Sequence, residues 1–232
     1  MKEKRGFSQE GLKLIACVTM LIDHIGAAFV HWEWLRVVGR LAFPIYCFLL
    51  AEGAAYTRNP GKYGARLAVG AVLSEIPFEL LFFGGLTLAH SSVMVTLLLG
   101  FLVIESMKRW PKMWPLVFIA CAFLAEMAGS DYGGMGIVLI VFFALTRNRS
   151  RILQTIGVTV ICWLIGGYGW WIGRLYVPME IVGAAAMIPI CLYTGRKATS
   201  SKAIQWAFYL FYPVHLTVLL LIAVIRYGYL LR

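Results

Sequence analysis

The stretch Leu12-Lys-Leu-Ile-Ala-Cys-Val-Thr-Met-Leu-Ile-Asp-His24-Ile-Gly-Ala-Ala-Phe-Val30 decides the fold. Apart from Lys13, Thr19 and the pair Asp23 and His24, it is built from apolar and small residues. As a helix rising 1.5 Å per residue it is about 28 Å long, close to the ~30 Å hydrocarbon core of a bilayer. Asp23 and His24 then lie about two thirds of the way across. Ionisable groups at such depth are expensive and mark functional sites.

The rest of the chain has the same character. Sixty-one per cent of the residues are hydrophobic, mean hydropathy is +0.80 and 14% are charged, against roughly 25% charged in a soluble domain. At about 20 residues per span, 232 residues support about eight to ten spans and no separate soluble domain. The fold class is all-α: a polytopic transmembrane helical bundle forming one integral-membrane domain over 1–232. The basic segment Met1 to Glu10 leads into the first apolar run without a small-residue cleavage pattern, so that helix is expected to be retained. Cys17, Cys47, Cys121, Cys162 and Cys191 fall in apolar stretches without CxxC spacing, which suits packing better than disulfides or metal.

Apolar runs and breakers predict about nine helices: Leu12 to Val30, Leu35 to Tyr56, Tyr63 to Phe83, Ser91 to Met107, Trp114 to Gly129, Tyr132 to Thr146, Ile152 to Gly166, Pro178 to Thr194 and Gln205 to Tyr227. Gly167 to Val177, rich in Gly, Trp and Tyr, reads as an interfacial loop or half of a further span. Basic residues cluster at every second boundary: Lys2/Lys4/Arg5, Arg58/Lys62/Arg66, Lys108/Arg109/Lys112, Arg147/Arg149/Arg151 and Arg196/Lys197/Lys202. The opposite loops hold Arg174 alone. The positive-inside rule therefore puts the N-terminus in the cytoplasm. The net charge of +10 is mainly this topology signal, and clusters separated by whole spans do not form a nucleic-acid-binding stripe.

With that orientation, Asp23, His24, Arg36, Arg40, Glu75, Glu79, Glu126, Asp131 and Glu180 gather toward the outer half of the membrane, which implies a polar cavity opening outward. Each has a bland reading. Arg40 with Glu75 can be a lock between helices, Arg36 can snorkel, and His31 and His90 suit solvated outer loops. Neighbouring helical residues point about 100° apart, so Asp23 need not orient His24, and Glu75 or Glu79 can do so instead. His24 is the candidate for proton exchange near neutral pH. The four histidines lack HExxH-type spacing, so no metal is predicted.

The stretch Gly11 to Gly26 with its Asp-His pair resembles the TraX family of membrane proteins. So do Gly39-Arg-Leu-Ala-Phe-Pro-Ile-Tyr46, Phe48-Leu-Leu-Ala-Glu-Gly53, Val93-Met-Val-Thr-Leu-Leu-Leu-Gly100, Asp131-Tyr-Gly-Gly-Met-Gly136 and Phe208-Tyr-Leu-Phe-Tyr-Pro-Val-His-Leu216. That family is named for acetylation of the pilin N-terminus and is similar to the wider group of transmembrane acyl-CoA-dependent acyltransferases. The resemblance implies membrane acyl transfer. In the wider group a basic residue, usually Arg, precedes a histidine near the end of the first helix; here Lys13 precedes His24.

Such chemistry needs a base, an oxyanion donor and exclusion of water. His24 is the expected base, with Asp23, Arg40 and Glu75 around it. Tyr212 and His215 are expected to bind or polarise the thioester, and Lys13, Glu79, Asp131 and Tyr132 to line the substrate site. Arg58, Lys62, Arg66, Arg196 and Lys197 are available for phosphates. The expected donor is cytoplasmic acetyl-CoA. The acceptor is an amine or hydroxyl of a protein N-terminus, a glycan or a lipid-linked molecule, in a bacterial cytoplasmic membrane, and homo-oligomers are compatible. Two other classes compete. Pro44, Pro77, Pro189 and Pro213 near polar residues suit the broken helices of a proton-coupled transporter, although no internal repeat relates the halves of the chain. In an assembly scaffold, the polar cluster is interhelical glue.

Overall fold

Ser8 starts the first helix in a computed structural model that describes residues 6–87, 89–196 and 201–228. Its hydroxyl accepts the Gly11 N–H at 3.1 Å, satisfying a donor that has no partner within the helix. Helix α1 (Gln9–Ile25) then widens into a π-helical stretch, Gly26–Val30, and ends at His31 in a left-handed conformation with φ 53°. Lys2, Lys4, Arg5 and Lys197 of the predicted basic clusters, and the side chain of Lys202, lie outside the described residues.

The second predicted helix is two. Helix α2 (Glu33–Gly39) stops at Arg40 and Leu41, and α3 (Ala42–Tyr56) follows. Pro44 explains the break, because it has no N–H for the Arg40 carbonyl and its ring crowds that oxygen. Pro77 and Pro213, by contrast, lie inside the unbroken helices α4 (Pro60–Phe83) and α10 (Lys202–Tyr227). Between these run α5 (Val93–Arg109), α6 (Trp114–Met127), α7 (Gly133–Thr146) and α8 (Arg151–Ile165).

Two expectations need correction beyond α8. Residues Gly167 to Val177 form neither a plain loop nor part of a span: β1 (Gly169–Ile172) and β2 (Leu175–Pro178) pair antiparallel, Ile172 opposite Leu175. Gly173, at φ 63°, supplies the left-handed position that such a two-residue turn needs. The fold is therefore not purely α, although helix still makes up 76% of it and fixes its class. The eighth predicted helix, Pro178 to Thr194, is a 3₁₀ segment (Met179–Ala186) followed by the short α9 (Met187–Cys191).

Among the described residues, three helical segments are long and apolar enough to cross a membrane: Gln9–Val30, Glu33–Tyr56 and Ala203–Tyr227. The shorter apolar helices α6 to α8 have 14 or 15 residues, about 21 to 23 Å, below the ~30 Å of a hydrocarbon core. Helix α3 is the centre of the bundle, with buried residues all round it. It packs on α1, α5, α7 and the 3₁₀ segment, while α10 lies against α4 and α1. The outward faces stay apolar: Val69, Val72 and Ile76 on α4, Ile119 and Phe123 on α6, Ile156 and Val160 on α8, and Val214, Val218 and Ile225 on α10 are exposed. Water would penalise so much exposed apolar surface, and lipid does not. Four of the five cysteines are buried; Cys191 is exposed.

Candidate functional site

Helix α1 carries the site. Lys13, Cys17, Met20, His24 and Ala27 follow one another at steps of four and three, so they form one stripe. That stripe walls two cavities. The smaller, of about 210 Å³, is lined among others by Asp23, His24, Arg36, Arg40, Phe82, Asp131 and Tyr132. The larger, of about 610 Å³, is lined among others by Lys13, Cys17, Tyr63, Arg66, Tyr209 and Tyr212. Met20, Tyr46 and Val93 line both and form the partition. Tyr46 is tied to α1 by a 3.2 Å contact between its hydroxyl and the Cys17 Sγ.

Asp23 and His24 point to different partners. The Asp23 carboxylate accepts Arg36 Nη1 at 2.7 Å and Arg40 Nη2 at 2.8 Å. Arg40 also donates to Glu180 Oε1 at 2.8 Å, to the Arg36 carbonyl at 3.1 Å and toward the Tyr132 hydroxyl at 3.5 Å. The helix break after α2 is what lets one guanidinium reach α1, α2, the 3₁₀ segment and the turn before α7. Gly39 is needed beside it, because a Cβ there would lie 2.2 Å from the Asp23 side chain. Tyr132, at φ 66°, stacks its ring on Phe43 with centroids 3.7 Å apart.

His24 turns toward α10. Its Nδ1 lies 2.7 Å from His215 Nε2, and His215 Nδ1 lies 2.8 Å from the Phe211 carbonyl oxygen. A carbonyl only accepts, so His215 carries its proton on Nδ1. Neutral His215 then accepts at Nε2 from His24 Nδ1–H, which leaves His24 Nε2 with its lone pair. Both imidazoles are buried, and Phe82 packs edge-on to His24 with centroids 5.2 Å apart. The arrangement fixes the tautomer of a base.

Several expected site residues stand elsewhere. Glu75 makes no lock with Arg40: it accepts the Ser92 hydroxyl at 2.7 Å and the Ser92 N–H at 3.1 Å, at the start of α5. Glu79 accepts from Thr87 at 3.1 Å. Neither lines either cavity, and the ring nitrogen of His24 is held by His215 instead. The cause is electrostatic, since α5 presents its unpaired N–H groups there and a helix N-terminus attracts carboxylates. Glu126 does the same for α7, accepting the Gly134 N–H at 2.7 Å. Arg36 pairs with Asp23 instead of snorkelling free. Arg58, Lys62 and Arg196 are exposed and outside the cavity walls. Lys13 lies over the Phe208 ring at 5.3 Å, and Arg66 over Tyr209 at 4.9 Å.

Glu180, Cys17 and Tyr46 were not singled out for the site by sequence. Glu180 had a signal, as an apolar-flanked carboxylate at the outer level of Arg40, and Tyr46 ends one of the quoted motifs. The partition role of Met20 and Val93 had none. At the outer end, Tyr168 donates to Glu33 at 2.6 Å, tethering the hairpin to α2, and that hydrogen bond to a carboxylate raises the phenol pKa above its ordinary value. Among the described residues no group of three His, Cys, Asp or Glu side chains is placed to hold a metal ion.

Fold and site together define a helical membrane protein with an ionisable cluster buried between its helices. The family described as TraX protein matches residues 8–223, and the chain belongs to that family. It is 30% identical over 250 residues to a Dichelobacter nodosus protein described as a probable fimbrial assembly protein, FimC of serogroup H1. That alignment covers 94% of this chain and 97% of the relative. It is also 30% identical over 93 residues to the uncharacterized protein RP591 of Rickettsia prowazekii (strain Madrid E), covering 40% of this chain and 34% of that one. No solved structure matches.

Proposed function

We propose that the protein is a membrane-embedded acetyltransferase that moves an acetyl group from cytoplasmic acetyl-CoA to an amine or hydroxyl at the outer side of the membrane or in lipid. The observation that carries this reading is the pair of abutting cavities along one stripe of α1, one with Lys13 and Arg66 in its wall beside the carboxylates of Glu10 and Glu52, the other holding His24. Lys13 and His24 are eleven residues apart, about 16 Å along the helix, and acyl-CoA is an elongated substrate with phosphates at one end and a thioester at the other.

In this reading about nine segments span a bacterial cytoplasmic membrane with the N-terminus inside, the short ones matched by local thinning. Lys13 and Arg66 hold the anionic end of the donor, and Arg58 and Arg196, which directly follow the lining residues Thr57 and Gly195, extend the basic mouth. The donor's thioester reaches past Met20, Tyr46 and Val93 to His24, whose Nε2 takes the acceptor's proton while His215 holds the ring. The fimbrial-assembly description of the Dichelobacter relative favours a protein subunit as acceptor.

The test is acetyl-CoA binding and CoA release by the protein in lipid nanodiscs, wild type beside a folded His24→Ala variant. Binding with His24-dependent release is the expected result. If saturating acetyl-CoA shows neither, the reading is wrong. The breaks at Arg40 and in the 3₁₀ segment favour, as a second reading, a proton-coupled transporter; proteoliposome uptake driven by a pH gradient would establish it instead.

A further inference from the structure

Among the described residues, three buried side-chain polar atoms make no hydrogen bond of good geometry: Arg66 Nε, Glu79 Oε2 and the Tyr212 hydroxyl, the last lying beside Ser92 and the Val93 N–H. Two of the three residues, Arg66 and Tyr212, line the larger cavity. Native proteins pair almost all such groups, so unsatisfied donors on residues that line one cavity point to a ligand that brings acceptor atoms.

Tyr212 is the informative one. It lies on α10 three residues before His215 and is almost wholly buried. Its ring is edge-on to both imidazoles, with centroids 6.1 Å from His24 and 5.4 Å from His215. One side of this residue therefore touches the proposed base while another lines the donor cavity. The two phenols of the smaller cavity are engaged, Tyr46 with Cys17 and Tyr132 with Arg40. A thioester whose CoA portion fills the larger cavity has to bring its carbonyl to this junction for an acceptor activated at His24 to reach it.

Resting on the acyl-transfer reading, we infer that the Tyr212 hydroxyl is the oxyanion donor, a catalytic residue that hydrogen-bonds the thioester carbonyl oxygen. His24 Nε2 takes the acceptor's proton, the acceptor's lone pair bonds to the thioester carbon, and the carbonyl pair moves onto oxygen, where Tyr212 O–H holds it. The pair then returns, the C–S bond breaks, and the departing thiolate takes the proton from His24. Tyr212 keeps its own proton throughout. The products are acylated acceptor and CoA thiol, and His24 is neutral again.

The experiment measures CoA release from acetyl-CoA with ethanolamine, which offers both an amine and a hydroxyl, by wild type and Tyr212→Phe in nanodiscs. Phe keeps the ring packing and removes only the hydroxyl, so kcat should fall about 10²- to 10³-fold, the usual loss for one oxyanion donor, with KM and the thermal midpoint little changed. Incorporating 3-fluorotyrosine at position 212 restores a donor and should return the rate to within a few-fold of wild type. A Tyr212→Phe variant that matches wild type, or changes KM alone, overturns this assignment and leaves the acyl-transfer reading standing. A wild type that neither binds acetyl-CoA nor releases CoA removes both.

Discussion

His24 Nδ1 sits 2.7 Å from His215 Nε2, and the second imidazole is anchored in turn by the Phe211 carbonyl at 2.8 Å. The two histidines are 191 residues apart in the chain, so the base is assembled only when the last helix docks on the first. The carbonyl sets the proton on His215, and His215 sets the proton on His24. This chain of assignments fixes which nitrogen of His24 keeps the lone pair of a base.

His215 is therefore a positioning residue, and its removal should leave donor binding intact while slowing transfer. His215→Asn is expected to lower kcat by about 10²-fold, the lower end of what a positioned general base contributes, and to change the pH dependence of kcat because the His24 partner is altered. Equal losses in donor affinity and rate, with an unchanged pH profile, would reduce His215 to packing.

The ion-pair network should separate by burial. Arg40 has a side chain 10% exposed and holds both Asp23 and Glu180, whereas the Arg36 side chain is 37% exposed. Arg40→Gln leaves Glu180 without its cation and Asp23 with Arg36 alone, and should destabilise the fold by about 3 kcal/mol. Arg36→Gln should cost about 1 kcal/mol or less. Thermal unfolding in one detergent compares them, and equal shifts would contradict the assignment of Arg40 as the hub.

Gly39→Ala tests the same junction from the backbone side. The added methyl would fall 2.2 Å from Asp23, so either the carboxylate leaves its arginines or α2 moves off α1. Overpacking of this kind costs about 1 to 3 kcal/mol, and the same unfolding assay should show it. An unshifted midpoint would mean that the contact between α1 and α2 is slack.

Much of this architecture was legible in the chain, and the gaps have physical causes. Apolar run length located every helical region, because bilayer-scale burial needs long uninterrupted apolar stretches whatever the packing. At Pro44 and Pro189, run length joined segments that the backbone separates, since hydropathy does not register a missing N–H. Asp23, His24, Arg40 and His215 stood out as intramembrane polar groups, but their pairing depended on helix rotation and on docking across the whole chain. Glu75 and Glu79 looked equivalent to them in sequence. Their carboxylates instead serve the start of α5 and the loop before it, a demand that exists only once α4 and α5 are antiparallel neighbours.

The two cations in the wall of the larger cavity make a prediction about binding alone. Lys13→Gln and Arg66→Gln should each raise the KM for acetyl-CoA about tenfold, the scale of one hydrogen bond to a charged group, with kcat unchanged. The effect should shrink at high salt. A fall in kcat at constant KM would place these residues at the reacting centre, against the geometry of the partition.

The orientation can be read from two exposed loop positions. Lys112 lies between α5 and α6 in a basic cluster, and Arg174 lies at the turn of the hairpin. The positive-inside rule puts Lys112 in the cytoplasm and Arg174 outside. Cys191 is the exposed native thiol, so Lys112→Cys and Arg174→Cys are best made with Cys191→Ser, leaving four buried cysteines. A membrane-impermeant thiol reagent on intact cells should label position 174 at once and position 112 only after permeabilisation. That result would place the mouth of the Lys13 and Arg66 cavity on the side where acetyl-CoA is made. The reverse pattern would put the basic mouth outside, where it has no acyl-CoA to bind, and would count against acyl transfer as strongly as a silent enzyme assay.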